Sequence, residues 1–213
     1  MEPPASAIPD NSASAKGSLR KSLRQQRRSL SRRQQQEASR GLCKQLARLP
    51  AFINSRRVAA YIPNDGEINL QPLLELAWRM GKKIYLPVLH PFKTGHLLFM
   101  AHTPGQPLAK NRFGIPEPLC NQDSRCAVWT LDLVLTPLVG FDDQGKRMGM
   151  GGGFYDRTFA YLNQATGHAK PYLIGVAHEC QRVKTLPSES WDIAMNLVVT
   201  DQNTYVSQPP THI

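Results

Sequence analysis

The sequence predicts an α/β fold: a single compact domain with a mostly parallel sheet flanked by helices and an N-terminal basic helical segment. From residue 57 onward, short apolar runs alternate with stretches of helical periodicity, which is typical of parallel strands joined by helices. One run, LDLVLTPLVGF at 131–141, is apolar almost throughout, as expected of a strand buried on both faces. The length of 213 residues suits one such domain.

Positive charge is concentrated near the N-terminus. Residues 16–57 contain 13 lysines and arginines but only one acid, Glu37, and the whole chain has a net charge of +10. Such a segment either binds an anionic partner or forms the solvated face of helices. Nucleic acid is one candidate partner, although aromatic residues are not interleaved with these cations.

Two amphipathic helices are predicted in this basic segment. Leucines at 19, 23 and 30 recur at helical spacing among the cations. Ser31 and Gln34 match a capping box, which would start a second helix that ends near Leu49. We therefore expect the segment to pack on the core as helices rather than to form a tail.

The remaining elements follow along the chain. Predicted strands cover VAAYI (58–62), KIYLPVL (83–89), LLFM (97–100), LDLVLTPLVGF (131–141), YLIGVA (172–177) and NLVVT (196–200), and predicted helices cover LQPLLELAWRM (70–80) and FYDRTFAYLNQA (154–165). We expect residues 1–15 to be a disordered extension, 16–205 the domain and 206–213 a C-terminal tail. Ligands of parallel sheets bind beyond the carboxyl ends of the strands, so PNDGE (63–67), the segment after 141 and AHECQ (177–181) are expected at the site.

A glycine-rich stretch, RMGMGGGFYDR at 147–157, is the main candidate for chemistry. It fits neither of two common phosphate-binding motifs. GFDDQGK at 140–146 resembles a P-loop, but Arg147 follows where Ser or Thr is required. A dinucleotide-binding turn would need a third glycine where the chain has Phe154.

Two interpretations of this stretch remain open from the residues alone. Consecutive glycines let backbone N–H groups converge on an anion, with Arg147 and Arg157 as charged donors. Asp156 would then suit a magnesium ion that bridges phosphates. Alternatively, the glycines form only a turn between a strand and a helix.

The cysteines and the apolar runs bear on location. The four cysteines, at 43, 120, 126 and 180, show neither CxxC nor zinc-finger spacing, so we expect free thiols and a cytoplasmic protein. No apolar run approaches the roughly 18 residues of a membrane span.

The chain resembles the 5-formyltetrahydrofolate cyclo-ligase family, also called 5,10-methenyltetrahydrofolate synthetases, and looks closest to the bacterial members. The resemblance is carried, in order, by KGSLRKSLR, NDGEIN, NRFGIPEP, LVLTPLVGFD, RMGMGGGFYDR and LPSESWDIAMNLVVT. It implies an ATP- and magnesium-dependent ligase in which the formyl oxygen of 5-formyltetrahydrofolate takes the γ-phosphoryl group and N10 then closes the ring. It further implies ATP and reduced folate as partners, a monomer, and no nucleic acid or membrane.

The resemblance also implies roles for individual residues. The catalytic residues would be Arg147 and Tyr155. The ATP-binding residues would be Lys16, Arg20, Arg147, Gly149, Met150, Gly151, Gly152, Gly153, Phe154 and Tyr155. The folate-binding residues would be Ile62, Glu67, Gly151, Gly152, Gly153, Phe154 and Tyr155. The magnesium ligands would be Asp156 and Asp192.

Two other classes remain as alternatives. The basic helices could make the protein a nucleic-acid-binding module, whose affinity would fall steeply with salt. A sugar-phosphate or coenzyme-A enzyme with a similar α/β fold is the other alternative, and a requirement for ATP would distinguish it from a cyclo-ligase.

Overall fold

A computed structural model describes residues 11–164, 170–186, 189 and 191–207 of the chain. The helices are α1 (Asn11–Arg28), α2 (Arg32–Ala47), α3 (Pro50–Ile53), α4 (Gln71–Arg79) and α5 (Phe154–Phe159). Short 3-10 helices cover Gln122–Ser124, Val128–Thr130, Ala160–Gln164 and Glu179–Gln181. The strands are β1 (Arg57–Ala59), β2 (Lys83–Leu89), β3 (Leu97–His102), β4 (Leu108–Lys110), β5 (Pro116–Pro118), β6 (Arg125–Cys126), β7 (Leu133–Pro137), β8 (Gly140–Asp142), β9 (Arg147–Met148), β10 (Tyr172–Val176), β11 (Arg182–Val183), β12 (Leu197–Val199) and β13 (Thr204–Val206).

An eight-stranded sheet forms the centre of the molecule, in the order β13-β12-β10-β7-β1-β2-β3-β6. The strands from β12 to β2 run parallel, while β13, β3 and β6 pair antiparallel at the edges. The predicted α/β class with a mostly parallel sheet is therefore confirmed. A three-stranded sheet, β11-β8-β9, and the pair β4-β5 lie outside it.

Helices cover both faces of the central sheet. One apolar cluster joins α2, α3 and α4 to the sheet and includes Leu46, Phe52 and Leu74. The opposite cluster includes Phe159 of α5. Neighbouring residues of β7 alternate between the two clusters, which explains why that part of the sequence is apolar without interruption.

The predicted start of the second helix is confirmed. Ser31 is the N-cap of α2: its hydroxyl accepts a hydrogen bond from the Gln34 amide, and the Gln34 side chain accepts one from the Ser31 amide.

The first helix starts earlier than predicted. It begins at Asn11, so residues 11–15 are helical rather than part of the predicted extension. The helix extends backward because each added residue only has to join an existing turn. Residues 1–10 and 208–213 lie outside the described residues, and β13 includes Val206, the first residue of the predicted tail.

Three predicted elements differ most from the structure in their limits. The run 131–141 divides into β7 and β8, because Pro137 has no N–H with which to continue the ladder. The first strand, predicted over 58–62, is only Arg57–Ala59. The predicted helix 154–165 is an α-helix only to Phe159 and continues as a 3-10 helix to Gln164.

The pairing of β3 was not anticipated. It runs antiparallel to β2, with Leu89 opposite Leu97. The connection of seven residues is too short for the crossover that a parallel pair requires. Within the described residues, no helix combines the length and the apolar character needed to cross a bilayer.

Candidate active site

A cavity of about 940 Å³ lies where β1 and β7 end. Its lining comes from α1, from the segments that follow these strands, from residues 111–117 and 147–160, and from residues 189, 191 and 192. All the residues that the sequence resemblance assigned to ATP, folate or magnesium line this one cavity: Lys16, Arg20, Ile62, Glu67, Arg147, Gly149, Met150, Gly151, Gly152, Gly153, Phe154, Tyr155, Asp156 and Asp192. The structure thus brings together residues that lie up to 176 positions apart in the sequence.

The glycine run forms one wall of the cavity and requires glycine at specific points. Gly151 has φ 95° and Gly153 has φ 60°, both in the left-handed region that other residues rarely adopt. Gly153 is also the residue from which α5 starts. A β-carbon at Gly152 would lie 2.8 Å from the Phe154 ring, so this position is also closed to larger residues.

Two arginines hold the glycine run by its carbonyl groups. Arg20 of α1 donates from Nε to the carbonyl of Gly149 at 2.9 Å. Arg157 donates to the carbonyls of Gly152 and Gly95, the latter at 3.0 Å. The interpretation of Arg157 as a phosphate donor is therefore not supported by its contacts, since its guanidinium ties α5 to the turn before β3.

Two pairs of oppositely charged side chains also line the cavity. Arg147 of β9 pairs with Asp156, whose Oδ1 also accepts a hydrogen bond from the Ile193 amide at 3.2 Å. Lys16 of α1 pairs with Glu189. Two of the three predicted phosphate-binding cations, Lys16 and Arg147, are thus charge-balanced by a carboxylate at the cavity, whereas Arg20 contacts a backbone carbonyl.

Glu67 contributes a largely buried carboxyl group to the same cavity. Oε2 of Glu67 accepts a hydrogen bond from the Asn64 amide at 3.1 Å. Burial raises the pKa of Glu67 to about 7, although the charge of Arg27 opposes that rise. Burial and the charge of Glu67 also raise the pKa of the Tyr155 hydroxyl well above its usual value, so this tyrosine stays protonated at neutral pH.

Sequence reasoning missed the cluster that supports Glu67. Asp65 accepts hydrogen bonds from Arg24, Arg27 and Arg28 of α1. Burial would raise the pKa of Asp65, but these hydrogen bonds outweigh it and lower that pKa to about 2. Asp65 itself has φ 55°, so the loop turns sharply here. Two features of the sequence could have suggested that these arginines pair with Asp65. One is the excess of arginine before residue 57, and the other is the single Asp-Gly turn that follows the first strand.

A turn at residues 111–115 was also missed as part of the site. Its Phe113 ring meets the Phe154 ring edge-on, with centroids 5.9 Å apart. Behind it, Glu117 accepts hydrogen bonds from the Leu89 amide at 3.2 Å and from the Asn111 side chain at 3.0 Å. The motif NRFGIPEP is one of those that carry the family resemblance, but its glycine and prolines by themselves predict only a loop.

Comparisons with known proteins show which family the sequence is similar to. The sequence model of the 5-formyltetrahydrofolate cyclo-ligase family matches residues 12–201. The 5-formyltetrahydrofolate cyclo-ligase of Escherichia coli K12 is 45% identical over 178 residues, which are 84% of this chain and 96% of that enzyme. The Haemophilus influenzae enzyme is 38% identical, over 83% of this chain and 92% of that enzyme.

A solved structure gives the same result. The NMR structure of Aquifex aeolicus 5,10-methenyltetrahydrofolate synthetase matches with a TM-score of 0.74 and 31% identity, over 93% of this chain and 95% of that one. Fold and sequence therefore agree over nearly the same residues. The resemblance seen in the motifs is confirmed, and the chain belongs to the 5-formyltetrahydrofolate cyclo-ligase family.

Proposed function

We propose that the protein catalyses the ATP-dependent conversion of 5-formyltetrahydrofolate to 5,10-methenyltetrahydrofolate, with release of ADP and phosphate. One observation carries the proposal: a single cavity joins the cations of α1, the glycine run and the buried carboxyl group of Glu67. Cations and backbone amides suit a triphosphate, while apolar walls with one carboxyl group suit a pterin ring. The cavity is thus equipped for two substrates that react with each other.

We expect the nucleotide at the end of the cavity formed by α1 and the glycine run. Phosphoryl transfer depends on positioning and on neutralising charge rather than on a protein nucleophile. Lys16, Arg20 and Arg147 supply the charge, and the amides of Gly149–Gly153 can supply additional donors. Met150 and Phe154 complete the wall around the phosphates.

Asp156 and Asp192 are the carboxylates that we propose as magnesium ligands. Both line the cavity, and no group of three His, Cys, Asp or Glu that could hold a metal is found among the described residues. Two acids fit magnesium, because this ion usually takes one or two carboxylates and completes its shell with phosphate and water. When bound, the ion would neutralise negative charge on the phosphates.

The folate is expected at the Glu67 end. A carboxylate can accept the N–H groups that a pterin ring presents, and Ile62 offers an apolar surface beside it. The protonated hydroxyl of Tyr155 can donate a hydrogen bond to the formyl oxygen. Tyr155 itself stacks on Phe159 with an angle of 17° between the rings, which fixes its orientation.

The reaction then has two steps. The formyl oxygen attacks the γ-phosphorus of ATP, and ADP leaves with the electrons of the broken P–O bond. N10 adds to the activated formyl carbon and loses its proton, and the phosphorylated oxygen leaves as phosphate. Because ring closure is intramolecular, the main task of the protein is to hold N10 against that carbon.

We do not expect nucleic acid to be a partner. Arg24, Arg27 and Arg28 of the basic helix contact Asp65 rather than presenting a free cationic surface. We further propose a monomer in the cytoplasm, in keeping with the free thiols of Cys43, Cys120, Cys126 and Cys180.

Formation of the methenyl product tests the function. Purified protein with ATP, magnesium and 5-formyltetrahydrofolate should generate the near-ultraviolet absorbance of methenyltetrahydrofolate, and omission of either ATP or magnesium should abolish it. Asp156→Asn should lower turnover at least tenfold at low magnesium, because it removes one metal-binding charge. Folded protein that gives no absorbance change would reject the function, and unchanged turnover of Asp156→Asn at low magnesium would reject the metal role.

A further inference from the structure

Among the described residues, Arg27 is the largest fully buried side chain, although it is a charged one. Its Nε donates to the carbonyl of Asp65 at 2.9 Å, and its Nη1 donates to the carbonyl of Leu138 at 3.0 Å. Asp65 follows β1 and Leu138 follows β7, and these two strands are neighbours in the sheet. Arg27 therefore joins the ends of two adjacent strands at the point where the cavity opens.

The remaining nitrogen of this guanidinium lies close to two carboxyl groups. Nη2 lies 2.9 Å from Oδ2 of Asp65 and 3.7 Å from Oε1 of Glu67. A buried charge is stable only where several groups compensate it, and Asp65 has two further arginine partners in Arg24 and Arg28. Arg24 and Arg28 thus neutralise much of the negative charge of Asp65 from outside the cavity. Part of the positive charge of Arg27 is therefore available to stabilise the carboxylate of Glu67.

The surroundings of Glu67 contain no other cation among the described groups that affect its ionisation. Asp65 repels its charge, and the Asn64 amide stabilises it. Tyr61 and Tyr155 face it as neutral hydroxyl groups, and that of Tyr61 already donates to the carbonyl of Ile68 at 3.0 Å. Arg27 is therefore the group that favours the carboxylate over the carboxylic acid.

We propose that Arg27 is a positioning residue for folate: its guanidinium holds the side chain of Glu67 in place as a carboxylate that faces the cavity. The proposal rests on the proposed function, in which Glu67 accepts hydrogen bonds from the N–H groups of the pterin. A protonated carboxyl group would use one oxygen as a donor, so it could not offer both oxygens as anionic acceptors to two such groups. Arg27 thus determines folate binding without touching the substrate.

The Michaelis constant for folate, measured from pH 6 to pH 9, tests this role. In the wild-type enzyme this constant should fall as the pH rises through about 7, the pKa of Glu67. Arg27→Gln should raise that midpoint by about one pH unit, which makes the constant about fivefold larger at pH 7 and nearly normal at pH 9. The constant for ATP should change less than twofold at every pH, because the nucleotide binds elsewhere in the cavity.

Arg24→Gln is the matched control. Arg24 also binds Oδ2 of Asp65, at 2.7 Å, but is not among the charges that act on Glu67. It should shift the midpoint clearly less than Arg27→Gln does, because Arg24 acts on Glu67 only through Asp65. An Arg27→Gln enzyme with the wild-type midpoint, or an equal shift in Arg24→Gln, would overturn the proposal.

A second variant decides the question if Arg27→Gln does not fold. Arg27→Lys keeps the charge but cannot reach Asp65, Leu138 and Glu67 at once, since an ammonium lacks the planar fork. It should raise the constant for folate about threefold at all pH values and keep the midpoint. An unchanged constant for folate would reject the role of Arg27. If the wild-type protein forms no methenyl product, the proposed function fails instead, so the two failures are distinguishable.

Discussion

At the scale of single residues, the most unusual group is the carboxyl group of Glu67. A buried acid loses its hydration, and here only one guanidinium and one amide compensate it. Its pKa of about 7, against an ordinary value near 4.5, means that the folded protein binds a proton more tightly than the unfolded chain. Such a group stabilises the fold below pH 4.5, and this contribution is lost as the pH rises through 7. The carboxylate form, which the proposed folate role of Glu67 requires, therefore costs stability.

Replacing this acid by its neutral amide should stabilise the protein at alkaline pH. Glu67→Gln should raise the free energy of unfolding by roughly 3 kcal/mol at pH 8 but by less than about 1 kcal/mol at pH 5, where the carboxyl group of the folded wild-type protein is also uncharged. Urea unfolding at the two pH values measures the difference. Glu37→Gln, which alters an exposed acid paired with Arg33, should change stability by less than about 0.5 kcal/mol at both. An equal gain at pH 5 and pH 8 would contradict the assignment.

At the scale of elements, the two N-terminal helices have different supports. The helix α1 is fixed by side chains, because its arginines bind the loop after β1 and the glycine run. The helix α2 is fixed by its own capping box and by an apolar face that includes Leu42 and Leu46. The break between them at residues 29–31 lets the two helices meet different parts of the molecule.

The capping box gives a prediction for α2. Ser31→Ala should lower the free energy of unfolding by about 1 kcal/mol, because the Gln34 amide loses its acceptor. Ser31→Asp should retain most of the wild-type stability, since a carboxylate also accepts this hydrogen bond. Ser29→Ala is a suitable control: it removes a hydroxyl that donates to the Gln26 carbonyl at the end of α1, and should cost less than about 0.5 kcal/mol. Equal losses for Ser31→Ala and Ser29→Ala in denaturant titrations would count against the cap.

At the scale of the whole molecule, the site is assembled from both ends of the domain. Lys16 and Arg20 come from the first helix, Glu67 follows the first strand, and Asp192 precedes the last parallel strand. These segments are brought together because all lie at the carboxyl ends of parallel strands or cross over them. We therefore expect the enzyme to depend on α1 for its chemistry as well as for its fold.

This dependence can be tested at Arg20. Arg20→Ala should raise the Michaelis constant for ATP about tenfold or more, because it removes one charged donor from the phosphates and frees the carbonyl of Gly149. The constant for folate should change much less. Lys21→Ala, at the exposed neighbouring position, should leave both constants within twofold of wild type. If both substitutions affect the constant for ATP equally, net positive charge on α1 is sufficient and the specific role of Arg20 is wrong.

The sequence by itself determined the features that depend on local pattern. The strand β2 has the predicted limits 83–89, the capping box of α2 lies where Ser31 and Gln34 indicated, and the glycine run lines a cavity. Periodicity, caps and glycine content act over a few residues, so they can be recognised in one dimension. The order of the motifs was likewise enough to identify the family.

Only the tertiary structure decided which distant groups meet. Arg27 and Leu138 lie 111 positions apart, and nothing near either residue indicates that the carbonyl of one accepts from the guanidinium of the other. In the same way, Arg157 was a candidate for phosphate until its guanidinium was found on two carbonyl groups. A charged side chain has the same appearance in a sequence whether its partner is water, a ligand or the protein, because the partner is determined by packing between segments that the local pattern does not connect.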